Sequence, residues 1–423
     1  MDKQKKTPVM RFPEFTDEWS NLKYSSIFSF RSTNSFSREN LNYTDGLVKN
    51  IHYGDIHTKF NTLFDITKEE VPFINNDIEL KNIPEDNYCT VGDLILADAS
   101  EDYADVGKCI EIVGLNNEKV VSGLHTILAR PDLHKMTVGF NGYLMKSEKI
   151  RLQIKTIAQG SKVLSISTKR FVVINLSIPQ ITEQQKIASF LTAVDTKLTQ
   201  LKQKKSLLEQ YKKGVMQKIF SQEIRFKDEY GKEYPKWEKK KLGEVTNYVD
   251  YRGRAPIKTE EGYFLVTAKN IKKGFIDYEC SKEYVSVNDY SNVMSKGLPE
   301  VGDVLFTTEA PMGNVAQVDK RNIALAQRVI KFRSKKMLSN LFLLHYMLSD
   351  NFQRLISTKA IGTTVQGISG KELHQLKITL PTFAEQTKIA KFLSAIDEKI
   401  NHCQLQIEIT VLYKKGLLQK MFC

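Results

Sequence analysis

The sequence lacks the features of membrane, secreted and metal-stapled proteins. No stretch approaches the roughly 20 apolar residues that a membrane-spanning helix needs. Residues 1–6 are charged, but no apolar run follows them, so no signal peptide is expected. The 423 residues include only five cysteines and no Cys-x-x-Cys pair, so neither a disulfide framework nor a zinc site is expected. A reducing, cytoplasmic location fits this composition.

Motifs of DNA-modifying and nucleotide-hydrolysing enzymes are also missing. The sequence has no Pro-Pro pair, and therefore no Asn-Pro-Pro-Tyr loop of an amino-methyltransferase. It has no Gly-x4-Gly-Lys-Ser/Thr loop and no Gly-x-Gly-x-x-Gly. Asp228 with Glu238 and Lys240 resembles a nuclease Asp…Glu-x-Lys pattern, but this connector is rich in charge, and a solvated surface is the preferred interpretation. His52, Asp55 and His57 could suggest a metal cluster, although loop residues explain them better.

Positive charge is what the sequence has in excess. Lys and Arg number 62 against 49 Asp and Glu, which gives a net charge of +13 at pH 7. A basic surplus favours a polyanionic partner, although many proteins with neutral ligands have a similar charge. The apolar fraction of 41% is enough for real cores, and the length predicts two to four domains.

One long stretch occurs twice. Residues 178–220 and 380–422 share Ile/Leu-Pro, Glu-Gln-x-Lys-Ile-Ala-x-Phe-Leu, a following Asp, Tyr-Lys-Lys-Gly and Gln-Lys-x-Phe, at a constant offset of 202 residues. Apolar residues recur in both copies at alternating intervals of about four and three. This spacing predicts a helix of roughly 55 Å whose apolar stripe faces a partner helix. Thr182 and Gln185 predict a capping box at its start.

The regions before each copy have the pattern of mixed α/β domains. Short apolar runs at Leu94–Leu96, Ile110–Val113 and Phe171–Ile174 predict strands, with turn signals between them. Further matches between the two regions, at offsets of 202, 210 and 215, predict a shared scaffold with loop insertions. The predicted fold class is α+β, with two mixed α/β domains separated by two long antiparallel coiled-coil helices in a pseudo-two-fold internal repeat. The predicted boundaries are 1–178 and 223–379 for the domains, and 179–222 and 380–423 for the helices.

At these residues the chain resembles a known family. The doubled helical block is similar to the conserved regions of the specificity subunit of type I restriction–modification enzymes. The Val-Gly-Asp segments at 91–93 and 301–303, and residues 251–256, 267–271 and 362–369, resemble the frame of that family's target-recognition domains. The resemblance covers essentially the whole chain. It implies a non-catalytic subunit that reads a bipartite, asymmetric DNA site, one half with each domain, while the helices set the spacer.

The resemblance also implies partners and cofactors. The expected partners are double-stranded DNA, two adenine-N6 methyltransferase (M) subunits and motor–endonuclease (R) subunits, with no membrane. S-adenosylmethionine is expected on the M subunits, and ATP with Mg²⁺ on the R subunits. No cofactor, metal or catalytic residue is expected on this chain.

Contacts to DNA are predicted in polar and basic loops, because Arg, Lys, Asn, Gln, Ser and Thr read base edges while Lys and Arg hold phosphates. The candidates in the first domain are Arg31, Asn34, Arg38, His52, Tyr53, His57 and Lys59. Those in the second are Arg252, Arg254, Lys258, Lys269, Asn270, Lys272, Thr308, Asn314, Gln327 and Arg328. Because Gly253 separates Arg252 from Arg254, both are expected to be exposed and able to contact guanine. For each arginine, a surface ion pair is the open alternative.

Two other functions stay open. The chain could be a self-contained nuclease or methyltransferase with duplicated recognition domains, although the missing motifs argue against this. It could also be a coiled-coil scaffold that binds only protein, which the basic loops and the large, divergent domains disfavour. The sequence does not give the DNA target, the spacer length or the modified adenines, since recognition depends on loop shape and not on a residue code.

Overall fold

A computed structural model describes residues 7–81, 83–251, 255–362 and 366–423. The chain forms two compact units: unit 1 contains residues 1–202 and 405–423, and unit 2 contains residues 203–404. Each long helix therefore contributes one half to each unit. In the described ranges, no helix combines the length and apolar character needed to cross a bilayer.

The described part of the first half of the chain contains thirteen strands and five α-helices. The strands are β1 Ser20–Lys23, β2 Phe28–Arg31, β3 Leu41–Asn42, β4 Lys49–Ile51, β5 Leu63–Asp65, β6 Phe73–Ile74, β7 Leu94–Ala97, β8 Ala99–Ser100, β9 Cys109–Gly114, β10 Val120–Ser122, β11 Thr126–Pro131, β12 Leu164–Ser165 and β13 Asn175–Ile178. The helices are α1 Tyr53–Thr58, α2 Asn141–Lys146, α3 Glu148–Ile157, α4 Thr168–Phe171 and α5 Ile181–Phe220, with 3₁₀ turns at Tyr24–Ser26, Arg38–Asn40 and Glu85–Asn87.

The described part of the second half continues with nine strands and six helices. The strands are β14 Glu238–Lys241, β15 Thr246–Asp250, β16 Tyr263–Val266, β17 Tyr284–Val285, β18 Val304–Thr307, β19 Val315–Gln317, β20 Ile323–Leu325, β21 Val329–Ser334 and β22 Lys377–Leu380. The helices are α6 Leu242–Val245, α7 Tyr290–Val293, α8 Asn340–Leu348, α9 Asp350–Ser357, α10 Gly370–Gln375 and α11 Phe383–Lys420.

The main sheets of the two units share the order of four strands, to which unit 1 adds β5. The order β2-β11-β7-β9-β5 in unit 1 corresponds to β15-β21-β18-β19 in unit 2. A second sheet pairs β4 in parallel with β10, and its counterpart pairs β16 in parallel with β20. Lys49 lies opposite Val120, and Phe264 lies opposite Ile323; Lys49 and Phe264 are 215 residues apart, which is the offset read from the sequence. The predicted shared scaffold is confirmed.

The two long helices pack antiparallel within each unit. In unit 2, Lys205 Nζ donates to Gln404 Oε1 at 2.9 Å and Lys212 Nζ donates to Asp397 Oδ1. From Lys205 to Lys212 the contacts advance seven residues along α5, while their partners go back seven residues along α11. The two helices therefore run in opposite directions. In unit 1, Lys414 Nζ contacts Asp195 Oδ1, which is the same pair with the helices exchanged. At 1.5 Å per residue, the 40 residues of α5 span about 60 Å.

The C-terminal residues of each repeated stretch are part of a domain core. Met421 and Phe422 pack among Trp19 and Phe140 in unit 1, and Phe220 packs among Trp237 and Phe342 in unit 2. The rings of Trp19 and Phe422 meet edge to face at 6.3 Å. Each fully buried side chain of this size contributes roughly 1.5–3 kcal/mol, so the helix ends are anchored in the domains.

Two local predictions are wrong. Thr182 does not cap α5, because the helix already begins at Ile181 and the amides of Glu183 and Gln184 donate to Gln180 O. In the second copy Glu385 N donates to Thr382 Oγ1, and Thr382 corresponds to Gln180 of the first copy, not to Thr182. Residues 171–174 are not a strand: they complete the turn of α4, which buries Phe171 and Ile174 at a helical spacing of three and exposes the residue between them at 173.

Acid is expected to weaken unit 2 through His345. Burial, together with the charge of Lys212, lowers the pKa of this imidazole to about 3, from about 6.5 in an unfolded chain. The folded state then binds the proton more weakly, so stability is complete above pH 6.5 and is lost as the pH falls toward 3. The equivalent residue in unit 1 is Tyr143, which donates to Asp195 Oδ2 at 2.8 Å.

His345→Tyr, which copies the residue of the other unit, should therefore reduce this loss of stability. Urea unfolding of the variant and the parent at pH 7.5 and pH 4.5 measures the difference. Burial also lowers the pKa of His52 in unit 1, to about 4. That contribution is common to both proteins and cancels in the comparison. Equal losses in parent and variant would show that His345 does not carry the effect.

Candidate nucleic-acid interface

The Val-Gly-Asp segments form the same turn in both units, and each turn buries its aspartate. Asp93 accepts hydrogen bonds from Thr90 N at 2.8 Å and from Arg130 Nε and Nη2 at 3.0 and 2.9 Å. Asp303 does the same with Glu300 N at 2.9 Å and with both nitrogens of Arg333 at 2.8 Å. The buried carboxylates of Asp93 and Asp303 hold the scaffold, so we look for base recognition elsewhere.

The predicted histidine loop is partly internal. His52 is 6% exposed, and its Nδ1 accepts from Gly54 N at 3.2 Å to cap α1. Burial, with the nearby charge of Arg38, lowers the pKa of His52 to about 4, so the ring is neutral at pH 7. Buried Asp55 accepts from Arg38 Nη1 at 2.8 Å and lies 3.4 Å from Lys59 Nζ. His57 is half-buried, with Nε2 3.0 Å from the carbonyl oxygen of residue 99.

An open cleft of about 780 Å³ lies beside this loop in unit 1. Asn34 lines it and donates from Nδ2 to Asn50 Oδ1 at 2.7 Å and to Ser122 O at 3.0 Å. Arg31, in the strand before it, pairs with Asp86 Oδ2 at 2.6 Å, and half-exposed Tyr53 places its ring 5.3 Å from that of His125. The cleft is lined by residues 32–36, 79, 83, 84, 87, 98, 121, 122 and 124–126. Its mixed polar and apolar lining and its open form suit the edge of a nucleic-acid base.

Three of the predicted DNA-contacting residues in unit 2 use their side chains for hydrogen bonds within the protein. Asn270 is fully buried; its Oδ1 accepts from Thr267 N at 3.0 Å, and its Nδ2 donates to Asp277 O and Ser281 O at 2.9 Å. Thr308 is 2% exposed and donates to Arg328 O. Asn314 donates to Ile271 O at 2.8 Å. We therefore correct the expectation for Asn270 and Thr308, whose polar atoms serve the loops they belong to.

The remaining candidates are more accessible. Lys258 pairs with Glu283 at 2.8 Å, and Arg328 pairs with Glu309 at 2.9 Å, so the surface ion pair that the sequence left open is what these two residues form. Lys269 is exposed, and Lys272 and Gln327 are half-buried. Arg252 and Arg254 lie outside the described residues. That any of these side chains contacts DNA stays a prediction.

Sequence reasoning missed two residues of the cleft, Asp98 and His125. Their side chains lie 3.3 Å apart, from Oδ1 to Nδ1, and burial raises the pKa of the Asp98 carboxyl. The internal repeat could have indicated His125. It directly precedes β11, just as Arg328, which was among the predicted contact residues, directly precedes β21. Within the described ranges, no group of three or more His, Cys, Asp or Glu side chains could hold a metal ion. His52, Asp55 and His57 are therefore not such a cluster.

Comparison with known proteins identifies the family. A model described as type I restriction modification DNA specificity domain matches residues 17–210 and 234–411. A putative type I restriction enzyme MjaX specificity subunit of Methanocaldococcus jannaschii is 26% identical over 323 residues, 73% of this chain and 72% of that protein. The type I restriction enzyme EcoKI specificity subunit of Escherichia coli is 23% identical over 301 residues, 66% of this chain and 62% of that protein.

Solved structures agree on the fold. The S subunit of a type I restriction–modification system from M. genitalium superposes with a TM-score of 0.58 at 14% identity, covering 99% of each chain. A chain from a structure of complex assembly and conformational transition of a type I R-M system gives a TM-score of 0.55 at 16% identity, covering 95% of this chain and 96% of that one. Because the family model matches most of the chain, in two copies, this protein belongs to the type I restriction modification DNA specificity family.

Proposed function

We propose that this chain is the sequence-specific DNA-recognition subunit of a type I restriction–modification complex. Each unit reads one half of a bipartite site, and the long helices set the spacer between the halves. The observation that carries the proposal is that the chain contains the same scaffold twice, including the Val-Gly-Asp turns and the contacts between the long helices. The loops of the two copies carry different side chains. A protein that bound one symmetric target would have no need for two dissimilar loop sets.

Catalysis belongs to partners under this proposal. The net charge of +13 suits a duplex, whose phosphates supply most of the non-specific affinity. S-adenosylmethionine would be held by the methyltransferase subunits, and ATP with Mg²⁺ by the motor–endonuclease subunits. A cytoplasmic location is part of the proposal, and the five free cysteines support it.

The long helices offer contact surfaces to such partners. On α5, Leu207 and Tyr211 are more than half exposed, and their counterparts Ile409 and Tyr413 on α11 are equally exposed. A Cβ added at Gly214 or Gly416, in the same Tyr-Lys-Lys-Gly motif, would meet no atom within 4 Å. Apolar side chains on an open helical face are typical of protein–protein contacts, so we assign these faces to the methyltransferase subunits.

The test is a map of N6-methyladenine in the genome of cells with and without this gene. The expected result is a bipartite motif that carries methyladenine only when the gene is present. The purified chain should neither cleave DNA nor transfer methyl groups, even with S-adenosylmethionine, ATP and Mg²⁺ added. Cleavage or methyl transfer by the chain alone would favour the self-contained enzyme instead.

Lengthening both helices by one heptad is expected to lengthen the spacer and leave both half-sites unchanged. Residues inserted between Lys204 and Lys205 and between Gln404 and Leu405 lie at facing positions, because Lys205 contacts Gln404. Seven residues preserve the apolar stripe and add about 10 Å, or about three base pairs. The methylated motif measures the result. An unchanged spacer would contradict the proposal that the helices set it, and insertion into α5 alone, which breaks the register, is the control.

A further inference from the structure

The two units have the same backbone hydrogen bonds at one matched position, which in unit 1 lies beside the cleft. In unit 1, Asp98 N donates to His125 O at 3.0 Å, and residue 166 N donates to Asp98 O at 2.8 Å. In unit 2, Thr308 N donates to Arg328 O at 3.0 Å, and residue 368 N donates to Thr308 O at 3.0 Å. The same hydrogen bonds therefore hold His125 and Arg328 at the start of equivalent strands.

The side chains on this constant frame differ. His125 is about half exposed and contacts Asp98, which lies between β7 and β8, at 3.3 Å. Arg328 is also about half exposed and contacts Glu309, one position further along, at 2.9 Å. Exposed pairs of this kind add little to stability, so folding alone does not explain why each unit places a hydrogen-bonding side chain and a carboxylate here.

The geometry of His125 points it toward a ligand. The residue lines the 780 Å³ cleft together with Asp98, Ser122 and Thr126. Its φ of +54° lies in the left-handed region, which only a few per cent of residues other than glycine adopt. Strained backbone of this kind is frequent at binding sites, where the surrounding structure holds a side chain in place.

The two positions suit different bases. In the tautomer that donates from Nδ1 to Asp98, Nε2 of His125 is left as an acceptor. Nε2 has no hydrogen-bond partner within the described part of the chain. An acceptor in the major groove selects the exocyclic amino group of adenine or cytosine, whereas a guanidinium selects guanine O6 and N7. Glu309 engages Arg328 through Nε and leaves the outer guanidinium nitrogens for a base.

We propose that residues 125 and 328 are matched base-reading positions, one in each half-site. His125, held by Asp98, reads an adenine or cytosine, and Arg328, held by Glu309, reads a guanine. Asp98 and Glu309 act as positioning residues that fix the orientation of the reading side chain. This inference rests on the proposed function, and it names which side chains of the described residues select bases.

The experiment uses the full chain assembled with its methyltransferase subunits. Arg328→Ala should lower the preference for guanine at one base pair of one half-site by about 10- to 100-fold. His125→Ala should do the same at one adenine or cytosine position of the other half-site. Asp98→Asn should relax that same position by a smaller factor. Methylation of an oligonucleotide panel with each base at each position, and the methyladenine map in cells, measure the change.

Two exposed ion pairs away from the cleft provide matched controls. Lys68→Ala in unit 1 removes a pair with Asp65, and Lys282→Ala in unit 2 removes a pair with Glu279. Both variants should keep the parental motif. If an alanine variant does not fold, as judged by its unfolding midpoint, His125→Gln or Arg328→Lys takes its place. These variants should weaken the base preference at the same positions of the motif.

Two results would overturn the proposal. An unchanged motif would show that neither residue reads a base. A uniform, salt-dependent loss of methylation across all sequences would assign the side chains to phosphates. If the parental complex produced no bipartite motif at all, the proposed function itself would fail. If the parent reads such a motif and the variants retain it, only the assignment of these two positions fails.

Discussion

Replacing Glu183 by alanine is expected to destabilise unit 1 by about 3–5 kcal/mol, which is the usual cost of removing one partner of a buried ion pair. Glu183 is fully buried, and it accepts from Arg11 Nε at 2.7 Å, Arg11 Nη2 at 2.6 Å and Trp19 Nε1 at 3.3 Å. Without the carboxylate, the half-buried guanidinium and the indole lose their acceptor. Urea unfolding followed by tryptophan fluorescence measures the loss, because Trp19 lies beside the substitution.

The sequence offers its own controls for this variant. Trp237 is the only other tryptophan, so a Trp237→Phe background reports unit 1 alone. Glu14 pairs with Lys186 on the surface, and Glu14→Ala should change the unfolding curve little. Glu385→Ala should reproduce the large effect in unit 2, where Arg225 Nη2 donates to Glu385 at 2.6 Å. Similar small effects for Glu14 and Glu183 would mean that the buried pair contributes little.

Exchanging the first recognition domain for that of a relative is expected to replace one half-site completely. The other half-site and the spacer should stay as they are, because each unit has its own core and its own loops. The exchanged segment is residues 1–178. The chimera should also carry the relative's residues 417–423, since Leu417, Met421 and Phe422 pack in the core of unit 1.

The methyladenine motif of the chimera is the measurement, and the reciprocal exchange of residues 223–379 is the matched control. Each chimera should keep the half-site of the domain it retains. A motif in which both halves change together would contradict independent reading by the two units. An unchanged motif would place base recognition outside the exchanged domain.

Much of the fold follows from patterns that local physics enforces. The spacing of four and three from Ile187 to Ile219 predicts the long helix, because a helix of this length is stable only if an apolar stripe meets a partner. The run at Leu94–Leu96 became β7, since buried β-branched and aliphatic residues favour a strand. The run at 171–174 did not, because its apolar residues also fit one turn of a helix. Such short runs do not distinguish the two structures.

The candidate site was less predictable. Polar residue types selected Arg328 and the loop near Asn34, whose side chains are accessible, but they also selected Asn270, whose amide is used inside its own turn. His125 was passed over because its neighbours, Leu124 and Thr126, give no basic or loop-like pattern. Whether a polar side chain faces a ligand or a backbone carbonyl depends on contacts made by residues far apart in the chain. A pattern of residue types does not contain those contacts.

By itself, the sequence determined that this protein is a duplicated scaffold with two long helices, because an ungapped repeat with a constant apolar spacing admits few other structures. It also determined the family. Only the tertiary structure decided that Asp93 and Asp303 are buried supports, and that His125 and Arg328 occupy one equivalent position. The reason is that hydrogen bonds between distant strands, such as those from Asp98 to His125 and from Thr308 to Arg328, set which side chains reach solvent.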